Sequence, residues 1–169
     1  PVGQGQVGLL EEHAAVIGRW TGTAGMVESG KFGRQHGLEI AVRGGGHNVA
    51  GRSTVEGGLM IDLAPMKGIH VDGKARTVRV QGGVNWGEFN RETQLHGLAT
   101  TGGAISTTGV AGLTLGGGLG WWMGTYGLTA DNLIPAEVVT AGRPVLTAGG
   151  AEDPGPGRGV RRGWGRGGG

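Results

Sequence analysis

The run Val42-Arg43-Gly44-Gly45-Gly46-His47-Asn48, at the end of a short apolar stretch, carries the clearest chemistry in the chain. Three consecutive glycines leave a bend with no Cβ atoms, so its backbone N–H groups can turn inward and touch a ligand directly. Successive N–H groups pointing into one concavity make an anion nest. Arg43 adds a fixed positive charge at the rim, and His47 sets an imidazole at the far end. A neutral imidazole nitrogen can attack an electrophilic carbon and form a covalent bond. Packing alone gives no reason for the flanking charge, whereas a phosphate-bearing cofactor does.

A second glycine-rich region runs from Thr100 to Gly120 and contains Gly102, Gly103, Gly109, Gly112, Gly116, Gly117, Gly118 and Gly120. Two such loops, one after a strand and one before a helix, can enclose an extended dinucleotide from two sides. Two other motifs compete for attention. Gly46 to Ser53 nearly fits G-x-x-x-x-G-K-[ST], but Arg52 replaces the lysine that reaches the β/γ-phosphates, and the two cations are not equivalent. Gly163 to Gly168 fits G-x-G-x-x-G, but no strand precedes it. Asp62 closes a strand, where it can cap a loop or bond a ribose.

The remaining histidines, His13, His36, His70 and His96, show no ligand spacing. His36 and His96 each precede a glycine and read as helix ends, where the dipole favours them. No cysteine is present, which excludes disulfides and thiolate metal sites. No metal is expected. Trp86, Trp121, Trp122 and Tyr126 read as core or interface residues.

These groups need elements to position them. Thr21 to His36 has helical patterning stopped by Gly37, although Gly25 and Gly30 weaken it by about 1 kcal/mol each against Ala. Leu38 to Val42 reads as the strand feeding the glycine bend. Leu59–Leu63, Ile69–Val71 and Thr77–Val80 are short β-branched runs bounded by Gly, Pro or Asp-Gly, hence strands, with Asp72-Gly73 as a turn. Val84 to Leu95 reads as a helix ended by Gly97. Asp131-Asn132 reads as a turn into a strand over Leu133–Thr140, followed by another over Val145–Thr147.

Glycine supplies 42 of the 169 residues, against about 7% in average usage. Between residues 37 and 147 the glycines alternate with apolar runs, which favours a fold built on tight turns over low complexity. A chain of this length removes about 68–70% of its unfolded surface on folding, enough for a real core. From Gly149 the text changes: 10 of the last 21 residues are glycine and apolar residues nearly vanish. Residues 149–169 are expected to be a disordered tail and residues 1–14 a loose N-terminus. The net charge is +2, with Arg158, Arg161, Arg162 and Arg166 clustered in the tail, so nucleic-acid binding is not expected of the folded part. No apolar run approaches the ~18 residues of a membrane span. No signal peptide is visible, and a cytoplasmic location is the expectation.

The order and spacing of these pieces resemble one family. Arg43-Gly44-Gly45-Gly46-His47-Asn48, Ile61-Asp62-Leu63 with Met66, and Val80-Gln81-Gly82-Gly83-Val84 come first. They continue in Thr101-Gly102-Gly103, in Gly109, Gly112 and Gly116-Gly117-Gly118-Leu119-Gly120, and in Tyr126-Gly127-Leu128 to Asn132. Over about Ala15 to Ala148 the chain is similar to the FAD-binding half of the vanillyl-alcohol-oxidase-type flavoproteins, specifically the berberine-bridge-enzyme-like oxidases. The resemblance implies an α+β, PCMH-type FAD-binding domain (residues 15–148) of two α/β subdomains, without the substrate domain. It implies FAD as cofactor, with Arg43 to Asn48 at the pyrophosphate and His47 bonded to the flavin 8α-methyl. It places Gly102, Gly103, Thr107, Gly109, Gly112, Gly116 and Gly117 against the flavin and its phosphates and Val138 near the adenine, and it counts Asp62 among the cofactor-binding residues. The implied reaction is hydride transfer from a substrate alcohol or amine carbon to flavin, with dioxygen as acceptor and a small-molecule substrate left open. No catalytic residue is expected in this chain.

The chain departs from the family in three places. Many members carry a cysteine that makes a second flavin bond, and the matching position here is Ile105, so only the histidyl linkage is implied. The family turn Ala-Asp-Gly-Arg is Ala141-Gly142-Arg143-Pro144 here. Past Glu152-Asp153-Pro154 the apolar continuation of the family is missing, which suggests a truncated or frame-shifted reading frame. The alternative is a non-catalytic nucleotide-binding remnant whose Arg/Gly tail, with Trp164, contacts RNA.

Overall fold

The structure, a computed structural model, describes residues 13–140 and 145–148. The expectations for residues 1–12, for the turn at 141–144 and for the tail at 149–169 lie outside the described residues.

The first lobe is a β-α-β unit closed by a third strand. Strand β1 (Val16–Arg19) leads into helix α1 (Thr23–Gln35), which returns to β2 (Ile40–Arg43), and β3 (Leu59–Asp62) inserts between the two strands. All three strands are parallel, with Val16 and Ile40 both in register with Leu59, and Arg19 and Arg43 both in register with Asp62. The central strand is buried along its whole length, as its unbroken apolar run Leu59-Met60-Ile61 requires. Leu59, Ile61, Leu63 and Met66 form the core, with Met26 of α1 and Leu38 and Ile40 packed against it. Helix α1 tolerates its glycines because two of them face bulky neighbours. A Cβ on Gly25 would overlap the Trp20 ring, and one on Gly33 would lie 2.7 Å from Ile40 Cδ1.

The second lobe begins with the antiparallel hairpin β4 (Ile69–Asp72) and β5 (Thr77–Val80), then helix α2 (Trp86–Gln94) and the short helix α3 (Val110–Leu115). Its core is Val84, Trp86, Phe89 and Val110, with Ile69, Val78, Val80 and Leu113 packed on it. Asn85 starts α2 with a reciprocal cap. Its side chain accepts from the Glu88 N–H at 2.9 Å, and the Glu88 carboxylate accepts from the Asn85 N–H at 2.9 Å. A one-turn helix α4 (Met123–Tyr126), a 3-10 turn (Thr129–Asn132) and the hairpin β6 (Ala136–Val138) and β7 (Leu146–Ala148) follow. An ion pair from Arg79 of β5 to Glu137 of β6 joins the two hairpins.

The α+β class and the division into two α/β lobes, each with its own core, agree with the expectation. Two local readings are corrected, and two stretches without an assigned element gain one. Val16–Arg19, which had no assigned element, is a strand, though Val16 and Ile17 are exposed and Gly18 interrupts its pattern. Helix α3 lies where only a glycine loop is expected, because Val110 packs into the second core, and α4 forms in a stretch given no element. The strand expected over Leu133–Thr140 shrinks to β6, with Asp131-Asn132 inside the 3-10 turn. Of the residues read as core or interface, Trp86 is core, and Trp121, Trp122 and Tyr126 are exposed, Trp121 to 87%.

Candidate functional site

The seam between the lobes is made of bare backbone. The bend Gly44-Gly45-Gly46 leaves β2 and meets two other glycine segments, Gly82-Gly83 and Gly109. A Cβ on Gly45 would overlap Gly109 N and come within 2.9 Å of Thr107 O, and a Cβ on Gly109 would overlap Gly45 N in turn. A Cβ on Gly44 would stand 3.2 Å from Gly82 O, and one on Gly83 would overlap the Leu63 carbonyl. Gly46 has φ +72°, a left-handed conformation that glycine adopts without penalty. Packing therefore does account for the three glycines, by loop-to-loop contact that the linear sequence could not reveal.

The ligand signal lies in the amides instead. Among the described residues, the N–H groups of Gly44, Gly45, Gly46 and His47 donate to no protein acceptor. Four consecutive donors without a protein acceptor at the end of a parallel strand are available to an anion. Arg43 contributes more than rim charge. Its guanidinium lies against the bend, where a Cβ on Gly46 would be 3.1 Å from its Nε. It also stands 3.8 Å from the buried Asp62 carboxylate, which Arg19 approaches from the other side at 3.1 Å. Asp62 further accepts from Ala64 N at 3.0 Å. Of the two readings of Asp62, the structure displays the loop cap, held by two guanidinium groups. Arg19 escapes a sequence reading because its strand does, and only the register of β1 on β3 brings it to Asp62.

Asn48 also serves the loop: its Oδ1 accepts from Ala50 N at 3.0 Å and from Arg52 N at 3.2 Å. The stretch Gly46–Ser53 is turns and coil leading to β3, with no helix for a P-loop to open.

Across the seam, the second loop is pinned to the start of α2. Trp86 N donates to Thr108 O at 3.0 Å, Gly87 N to Ser106 O at 2.8 Å, and Val110 N to Val84 O at 2.9 Å. This places Thr107 opposite the bend, with its Oγ1 2.9 Å from His47 Nε2. The two residues are 60 positions apart in sequence, so the contact spans both lobes. Gly102 and Gly103 answer to the core: a Cβ on either would press into the Trp86 ring. Gly116 ends α3, and Gly117 (φ +98°) and Gly118 (φ +79°) turn the chain back towards the 3-10 turn. Gly112 has nothing within 4 Å of an added Cβ. Ile105 is 59% exposed beside this loop. Val138 lies in the β6–β7 hairpin, in register with Leu146, and no described hydrogen bond joins it to either glycine loop. The sequence reading thus converges on Arg43 to His47, Thr107 and Gly109. It missed Gly82 and Gly83 as walls of the same seam, although the doublet directly follows a strand.

Among the described residues no group of three His, Asp or Glu side chains could hold a metal ion, and no helix is long and apolar enough to cross a membrane. Among the described residues a displaced carboxyl, that of Glu88, belongs to the scaffold. Burial pushes Glu88 up, but the Lys67 hydrogen bond, the Asn85 N–H and the Lys67 and Arg91 charges outweigh it and hold the group below its ordinary 4.5.

Two α/β lobes that meet along glycine backbone, with unpaired amides and an imidazole at the seam, define a domain built to hold a phosphate-bearing cofactor. Comparison with known proteins gives the class its family. The sequence model of the FAD binding domain matches residues 14–149. The chain is 37% identical over 135 residues to (R)-6-hydroxynicotine oxidase of Paenarthrobacter nicotinovorans, a match covering 80% of this chain and 30% of that protein. It is 40% identical over 116 residues to berberine bridge enzyme-like D-1 of Nicotiana tabacum, covering 64% and 20%. The crystal structure of 6-hydroxy-D-nicotine oxidase from Arthrobacter nicotinovorans superposes with a TM-score of 0.85 at 35% identity, over 90% of this chain and 34% of that one. The chain therefore belongs to the FAD binding domain family of FAD-linked oxidoreductases. It spans about a third or less of the length of these relatives. The unpaired amides of Gly44 to His47 are donors of the kind that a diphosphate accepts from.

Proposed function

We propose that this chain binds FAD in the seam between its lobes and serves an oxidase that takes a hydride from an alcohol or amine carbon of a small molecule. The observation that carries the proposal is the run of four unpaired amides ending on His47. In this reading the amides of Gly44 to His47 hold the pyrophosphate, Arg43 supplies positive charge without leaving Asp62, and the second loop covers the flavin edge. FAD supplies the redox chemistry, with dioxygen as final acceptor; the protein binds, orients and tunes it. His47 forms a covalent bond to the 8α carbon. That bond retains the cofactor and, by withdrawing electrons, makes the flavin a stronger oxidant. Ile105 offers no thiol for a second bond.

The test is to produce the 169-residue chain with ample riboflavin and measure intact mass before and after acid precipitation, beside a His47→Ala variant. The proposal expects FAD mass and yellow colour that survive acid in the parent and not in the variant. A colourless parent that also fails to bind titrated FAD refutes it.

A further inference from the structure

We propose that Thr107 is a positioning residue for His47: its hydroxyl holds the imidazole through Nε2 and leaves Nδ1 as the nitrogen that bonds the flavin. The inference rests on the covalent reading above. The imidazole is half-buried, and its described contact is the 2.9 Å hydrogen bond from Nε2 to Thr107 Oγ1. Nδ1 has no described partner.

The chemistry gives this contact a direction. Thr107 belongs to a loop whose backbone is fixed on both sides, by Gly87 N on Ser106 O and by Trp86 N on Thr108 O. The Thr107 carbonyl lies against Gly45 (2.9 Å from an added Cβ), so the loop cannot drift away from the bend that carries His47. The contact serves attachment with the hydroxyl accepting from Nε2–H, the tautomer that leaves a free lone pair on Nδ1. As Nδ1 forms the new N–C bond to the 8α carbon, positive charge builds on the ring, and an acceptor at Nε2 stabilises it. A C–H bond of the 8α carbon breaks: its proton goes to solvent and its electron pair reduces the isoalloxazine. The ring then loses its Nε2 proton, and dioxygen takes the two electrons and two protons as hydrogen peroxide. The net change is one 8α hydrogen and one imidazole hydrogen lost, one N–C bond gained and one dioxygen reduced to peroxide.

The experiment follows attachment, with no need for turnover. Parent, Thr107→Val and Thr107→Ser chains are made without flavin and mixed with FAD in air. Two quantities are recorded: the dissociation constant before attachment, and the rate at which colour becomes stable to acid. The site of the bond in the aminoacyl flavin released by proteolysis is read by NMR. Expected, from chains saturated with FAD according to their own dissociation constants, are attachment slowed at least about tenfold in Thr107→Val and a near-parental rate in Thr107→Ser. The parent gives the Nδ1 adduct alone, and the valine variant a mixture of both nitrogens. If Thr107→Val attaches FAD at the parental rate and at Nδ1 alone, the positioning role is wrong and the covalent reading stands. If Thr107→Val no longer binds FAD, Thr107 is structural and the inference fails. If the parent binds FAD without ever fixing it, the covalent reading fails first and this inference with it.

Discussion

Gly45→Ala tests the seam directly. The added Cβ would overlap Gly109 N and lie 2.8 Å from Gly109 Cα and 2.9 Å from Thr107 O. Carbon contacts settle at about 3.5–4.0 Å, so the two loops must part by roughly 1 Å. None of the three atoms can yield by rotating a side chain, because all belong to backbone that α2 and β2 hold. Overpacking of this kind costs about 1–3 kcal/mol, or roughly 2–12 °C in melting temperature at about 2–4 °C per kcal/mol for a chain of this size. Gly112→Ala is the matched control. Gly112 belongs to the same glycine-rich region and sits inside α3, with nothing within 4 Å of its added Cβ. There alanine should stabilise by up to about 1 kcal/mol through helix propensity. Thermal unfolding followed by circular dichroism, with urea titration as a second measure, reads both. Opposite signs are expected. Equal effects of the two substitutions, or a Gly45→Ala chain as stable as the parent, would refute the backbone-contact account of the seam.

Two further outcomes follow from the scaffold. Asn85→Ala removes the reciprocal cap on α2 and should lower stability by about 1 kcal/mol, seen as an earlier urea midpoint with unchanged slope. Glu88 titrates below its ordinary value when folded, so its contribution is fully present above about pH 4.5 and is lost as pH falls through the depressed folded value. Glu88→Gln, which keeps the capping acceptor but not the charge, should flatten that acid limb of the stability curve. An acid limb as steep as the parent's would mean that other carboxylates set it.

The fold was legible wherever local pattern and burial agreed. Leu59-Met60-Ile61 is a continuous apolar run, and it became the central buried strand. Val84 to Leu95 reads as a helix, and α2 occupies Trp86–Gln94 within it. Val16–Arg19 and Val110–Leu115 were illegible for opposite reasons. The first is a short edge strand whose exposed side chains give no alternation, and it is ordered by pairing with β3. The second is only six residues long, carries Gly112 and is flanked by the glycines of its region, yet Val110 packs into the second core and its N–H is tied to Val84 O. Local propensity loses at both places to contacts that need a partner distant in sequence.

The sequence by itself determined which groups could act: a three-glycine bend between Arg43 and His47, a second glycine region, and no cysteine. Residue types and their short-range spacing are local properties, and the chemistry of an imidazole or a bare amide travels with the residue. Only the tertiary structure decided why those glycines are glycines and what His47 faces. Gly45 must be bare because Gly109 is pressed against it, and His47 meets Thr107 only because two cores, each closing on its own strands and helix, bring their edge loops into contact. Such contacts are set by how the lobes pack, a constraint that leaves no mark on the spacing of residues along the chain.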